Sequence, residues 1–308
     1  MKITNTSRRD FIKTTSMLGL GCSLSALNLE MSCAKENKGS IAGDHFWAWA
    51  HYERSYHNAW KLPANGTMTP IEGVRYLGVP NVIMVRYKDK PEPPFDDYAQ
   101  QFKGLKQVYW SFVGASGVTS EQEQQIVLDL ARRVPNISGV FMDDFFHGNA
   151  IPVKGAAEPP ASCTLEQLKS IRPKLKLENK TLDLGVTLYT FQLNPAIKEH
   201  LALCDVVSFW TWKGSDLKDL EKNFEYYQTL APGKRTLLGI YMWDFGQACP
   251  LSIANMEHQC KLGLKWLKEG RIEGLIFLAT NICDLGIESV AWTKEWIAQH
   301  YNDKITTR

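Results

Sequence analysis

The sequence predicts a single (β/α)8 TIM barrel, an α/β fold around a parallel eight-stranded core. Three observations carry that expectation. Eight short apolar runs recur between residues 45 and 281, nearly continuous rather than alternating, as strands covered by helices are. The segments between them open with helix-start signals. The stretch that holds them, residues 44–308, is close to the ~250 residues typical of such a barrel. The competing arrangement is an open doubly wound sheet. It is disfavoured because no glycine-rich phosphate loop follows the first run.

Taken in order, the runs are His45–Glu53, Asn81–Tyr87, Gln107–Gly114, Gly139–Phe146, Leu182–Thr190, Asp205–Trp212, Arg235–Phe245 and Glu273–Asn281. Thr69-Pro70-Ile71-Glu72 reads as a capping box with proline at the first helical position. Ser120 with Glu123 and Thr164 with Gln167 repeat the box, and Asn194-Pro195 is a cap followed by proline. Apolar side chains then follow at helical spacing, as at Ile126, Leu128, Leu130 and Val134. No internal repeat and no second domain are visible.

Ahead of the barrel, Ser7-Arg8-Arg9-Asp10-Phe11-Ile12-Lys13 precedes a small, apolar stretch from Thr14 to Leu29. A charged segment before a short apolar one reads as an export signal, too short for an ordinary membrane span. The arginine pair with Phe11 resembles the bacterial twin-arginine signal. Residues 1–33 are therefore expected to direct export to the periplasm or cell surface, with residues 34–43 as a tether. Leu20-Gly21-Cys22 is a degenerate lipobox, and Cys22 and Cys33 stand where a lipid anchor would attach. An anchor of that kind is the one membrane contact expected. Cys163, Cys204, Cys249, Cys260 and Cys283 form no C-x-x-C and read as small buried apolar residues, with room for one disulfide. Hydrophobic residues at 44% and charged residues at 22% exclude a disordered chain. Beyond residue 33 acidic and basic side chains balance, so no nucleic-acid partner is expected.

Chemistry in a barrel sits at the carboxyl ends of its strands. The fourth run ends in Gly139-Val140-Phe141-Met142-Asp143-Asp144, and alternation puts Gly139, Phe141 and Asp143 on one face. An aspartate ending so apolar a strand is unfavourable unless it is paired or faces a cleft. Glycoside hydrolysis needs a second carboxyl group. Asp244 in the seventh run is the best-placed partner, with Glu53 after the first run and Asp216 after the sixth as further candidates. Ten tryptophans, all beyond residue 46, suit stacking on sugar rings. Trp47, Trp49, Trp110, Trp210, Trp212 and Trp243, with Tyr189 and Tyr241, are the expected substrate contacts, joined by Asn281 and Arg86 at strand ends. Arg86 is also a candidate salt-bridge partner for the aspartates.

The Gly-x-x-x-Asp ending of run four resembles the fourth strand of the barrel glycoside hydrolase superfamily, where that aspartate is a nucleophile or orients substrate. The resemblance implies an exported glycosidase acting on a poly- or oligosaccharide, with Asp143 and Asp144 at its centre. A pairing of the fourth strand with the seventh is similar to the large retaining clan, which however uses glutamates. One with Asp216 is similar to α-galactosidase-like barrels. Two other classes compete. A silent carbohydrate-binding barrel would keep the tryptophans without a working carboxylate pair. A metal-dependent carbohydrate deacetylase would draw on Asp143, Asp144 and His147 with His45, His51 or His57, although its usual order of aspartates and histidines is reversed here. No cofactor is expected, since the body has no dinucleotide loop and no haem motif.

Overall fold

The computed structural model describes residues 39–113, 119–148 and 160–305. Strands β1 (Phe46–Ala50), β2 (Asn81–Met84), β3 (Gln107–Ser111), β4 (Ile137–Met142), β5 (Asp183–Tyr189), β6 (Val206–Trp210), β7 (Arg235–Tyr241) and β8 (Gly274–Leu278) close into a parallel barrel, β8 pairing back onto β1. Helices α1 (Pro70–Leu77), α2 (Asp96–Ala99), α3 (Glu121–Arg133), α4 (Leu165–Lys174), α5 (Lys198–Ala202), α6 (Leu220–Leu230), α7 (Ile253–Lys268) and α8 (Glu288–His300) follow the strands one by one. The expected fold class holds. No helix among the described residues is long and apolar enough to cross a membrane.

The helix starts form where the caps stand. The Ser120 hydroxyl accepts from the Glu123 N–H at 3.2 Å while the Glu123 carboxylate accepts from the Ser120 N–H at 3.1 Å. Thr164 and Gln167 exchange the same pair at 3.2 and 2.8 Å. Such reciprocal caps satisfy the otherwise unpaired donors of a first turn.

Strand alternation sorts the aromatic side chains. Trp49 crosses the barrel to meet Phe141 of β4 and Trp210 of β6, ring centroids 5.4 and 5.2 Å away. The opposite parity faces the helices: Phe46 meets Trp296 of α8, and Phe209 meets Phe224 and Tyr227 of α6. Glycines make the interior rings fit. A Cβ at Gly185 would lie 2.4 Å from Phe141, and one at Gly239 only 2.0 Å from Trp210. At the amino end of the strands, Arg235 bridges Asp183 at 2.7 Å and Glu273 at 2.6 Å, and the Tyr109 hydroxyl donates to Asp183 at 2.6 Å.

Two expectations change. Ser40 and Ile41 pair antiparallel with Ile305 and Lys304, and the Gly43 N–H donates to the Tyr301 carbonyl at 2.8 Å. Residues 40–43 thus belong to the fold and not to a tether, because the amino and carboxyl ends of the barrel domain zip together. The five cysteines are all free thiols, four of them buried, so the allowance for a disulfide among them falls away. The expected export signal, with Cys22 and Cys33, lies outside the described residues.

Candidate active site

A cavity of about 110 Å³ opens at the carboxyl ends of the strands. Asp143 and Asp144 follow β4, and Thr187 and Tyr189 come from β5. Trp49 of β1, Trp210 of β6 and Tyr241 of β7 line it, joined by His51, Trp212 and Phe245 from the segments that follow those strands. Loop residues Tyr56, Trp60 and Tyr87 complete the wall with Leu278. A wider hollow of about 790 Å³ lies at the opposite end, where Arg235 and Glu273 already neutralise each other. The smaller cavity is the candidate site, because it holds the strand-end carboxylates.

Alternation alone would turn Asp144 away from Asp143. The backbone prevents this: Asp144 adopts φ 48°, a left-handed conformation that aspartate tolerates better than most residues. Both carboxyls therefore line one cavity. The Thr187 hydroxyl donates to Asp143 Oδ1 at 2.9 Å, and the Tyr189 hydroxyl donates to Asp144 Oδ1 at 3.0 Å. Burial pushes the Asp143 carboxyl up to about 8, and the Asp144 charge beside it adds to the rise. Tyr56, Tyr189 and Tyr241 are also raised by burial, so their hydroxyls stay neutral donors at ordinary pH.

Two indoles are anchored through their ring nitrogens. Trp210 Nε1 donates to Ser208 Oγ and Trp49 Nε1 to His51 Nε2, each at 2.7 Å. The indole nitrogen can only donate, so His51 must accept on Nε2 and carry its proton on Nδ1. Burial lowers the His51 pKa to about 3, which keeps the ring neutral. The polar tips of Trp49 and Trp210 are thus occupied, and both present apolar ring surface to the cavity.

Of the residues expected from sequence, Asp143, Asp144, Trp49, Tyr189, Trp210, Trp212 and Tyr241 meet at this cavity. The others do not line it. Asp244 is buried and spends both oxygens on backbone N–H groups, Gly214 and Gln247, each at 2.9 Å, so it organises a loop. Glu53 faces the Tyr98 hydroxyl at 3.5 Å, and Asp216 is exposed on a 3-10 turn beside Ser215. Trp47 packs on Tyr109 in the barrel interior, and Trp110 faces outward onto Phe95 and Phe102. Trp243 Nε1 donates to the Trp60 carbonyl at 3.2 Å and so supports the wall from behind. Asn281 donates to Ser55 at 2.9 Å, and Arg86 turns outward to Glu123 at 3.2 Å rather than to either aspartate.

Tyr56, Trp60, Tyr87, Thr187, Phe245 and Leu278 were not foreseen as site residues, and His51 was weighed only as a metal ligand. Two carried a usable signal: Thr187 and His51 sit two positions from Tyr189 and Trp49, on the same strand faces. The histidines weighed for a metal do not converge, His45 bonding the Glu273 carbonyl and His57 the Gly66 carbonyl, each at 2.7 Å. No cluster of three metal-ligating side chains occurs among the described residues.

No family model and no curated protein matches the chain. Solved structures do. Active domain 2 of a thermostable chitinase from Pyrococcus furiosus superposes with a TM-score of 0.52 at 12% identity, over 87% of this chain and 99% of that one. The GH99 endo-alpha-mannosidase from Bacteriodes thetaiotaomicron gives 0.51 at 11% identity, over 85% and 98%. A probable 2-pyrone-4,6-dicarboxylic acid hydrolase from Acinetobacter baumannii gives 0.50 at 12% identity, over 83% and 92%. Two of these three neighbours are glycoside hydrolases and one is not. At such identities what is shared is the barrel, and the chemistry must be argued from the cavity.

Proposed function

We propose that this protein is an exported glycoside hydrolase that cleaves a poly- or oligosaccharide at the Asp143–Asp144 cavity. One observation carries the reading: the Asp143 and Asp144 carboxyls share one aromatic-walled cavity, where burial favours the protonated form of Asp143. Asp143 gives its proton to the glycosidic oxygen as the bond to the anomeric carbon breaks. Asp144, steadied by the Tyr189 hydroxyl, faces the positive charge that develops on the sugar. Water then adds to the anomeric carbon, and its released proton returns to the carboxylate pair. The faces of Trp49, Trp210 and Trp212 supply apolar surface for the ring. The chitinase and mannosidase neighbours support a carbohydrate substrate on this architecture.

The test is reducing-sugar release from a glycan panel by the full chain and by Asp143→Asn. Release by the wild type, reduced at least ~100-fold in the variant, is the expected outcome. No release from any glycan, with sugar binding retained by both proteins, would replace the enzyme by a carbohydrate-binding barrel. Export belongs to the same proposal, on the strength of Arg8-Arg9 and the apolar stretch after them.

A further inference from the structure

Phe191 is 48% exposed and, with Tyr226, is one of two large hydrophobic side chains that stand exposed among the described residues. It is not a stray surface residue. Its ring stacks on Tyr189 with centroids 5.2 Å apart and planes 5° from parallel. Tyr189 in turn donates to Asp144 and meets Trp212 edge-on at 5.9 Å. The short turn Thr190–Gln192 that carries Phe191 is pinned twice, the Gln192 side chain accepting from the Tyr189 N–H at 2.9 Å and donating to the Phe146 carbonyl at 2.8 Å. An exposed aromatic ring is thus held one stacking step outside the carboxylate pair.

The cavity is far below the ~300 Å³ at which pockets begin to enclose larger ligands. A cavity this small leaves most of an oligosaccharide beyond its mouth. We infer that Phe191, backed by Tyr189, is the platform for the sugar next to the scissile bond, outside the cavity. The inference rests on the glycosidase reading and names where the neighbouring unit of that substrate stacks. It makes affinity depend on chain length, because a monosaccharide fills the cavity without touching Phe191, whereas a disaccharide reaches it.

The test measures binding of cello-, chito- and manno-oligosaccharides of one to four units by calorimetric titration. The protein is the full-length Asp143→Asn variant, which leaves the ligand intact. The preferred series should bind about tenfold more tightly at two units than at one, as expected for one added stacking contact. Adding Phe191→Ala should bring that ratio close to one, and Phe191→Trp should keep it. An unchanged ratio in Phe191→Ala, in a variant whose circular dichroism matches its parent, would overturn the platform and leave the glycosidase reading standing. If no sugar of any length binds, both fall together.

Discussion

Asp144 shows how much a single backbone angle can decide. At φ 48° its side chain swings to the same side as that of Asp143, and two neighbours that a regular strand would separate become one acid pair. Asparagine tolerates the same left-handed conformation. Asp144→Asn should therefore keep its far-ultraviolet circular dichroism and its melting temperature while losing about 100-fold in kcat. Asp244→Ala should do the reverse at first order, losing about 1–3 kcal/mol of stability by leaving the Gly214 and Gln247 N–H groups unpaired. Equal activity losses without a stability difference would return Asp244 to the chemistry. No reading of neighbours along the chain could separate these two aspartates. Both end apolar runs, and they differ in whether backbone N–H groups, one nearby and one 30 positions away, already occupy both carboxyl oxygens.

Strands and helices were more legible than side chains. The eight apolar runs all became strands, and the capping boxes at Ser120 and Thr164 open α3 and α4. The runs overshoot at their carboxyl ends, however: Gly139–Phe146 was the expectation and β4 ends at Met142. Apolar side chains continue past the ladder because they go on to line the cavity or pack beneath it, and composition cannot tell the two environments apart. The glycines inside the strands matter as space. Trp210 is wedged between Trp49 and Tyr241, with centroids 5.2 and 4.8 Å away, so it cannot retreat from a Cβ added at Gly239. Gly239→Ala should destabilise by about 1–3 kcal/mol and weaken sugar binding together, as judged by urea unfolding and titration. Gly104→Ala, with open space at its Cβ position, is the control expected to change neither.

The carboxyl at the heart of the site should also mark the stability of the entire domain. Asp143 holds its proton to about pH 8 when folded, against an ordinary value of 3.8. Between those limits the folded state binds more protons than the unfolded one, so this group's contribution is complete below 3.8 and is lost as pH rises through 8. Asp143→Asn removes that dependence. The variant should be more stable than wild type at pH 9, with the gap closing toward pH 4. A gap independent of pH in urea titrations would mean that Asp143 is not held protonated by its surroundings. If Asp143 acts as the general acid of the proposed hydrolysis, kcat/KM should fall as pH passes about 8, where that acid becomes ionised.

The fold could be read from the chain because its signals are local: apolar runs of strand length, caps at fixed spacing, and one helix between successive strands. The choice of Asp143, and the aromatic character of its surroundings, followed from the rule that strand ends carry the chemistry. What only the folded barrel decided was which candidates meet. Trp49 and Trp210 face each other because β1 and β6 lie across a closed ring, although 161 positions separate them in the chain. Trp110 turns to the helices by one step of alternation, and Asp244 is claimed by the backbone N–H groups of Gly214 and Gln247. Those outcomes depend on closure, register and competition for hydrogen bonds, which are properties of contacts between segments remote in sequence.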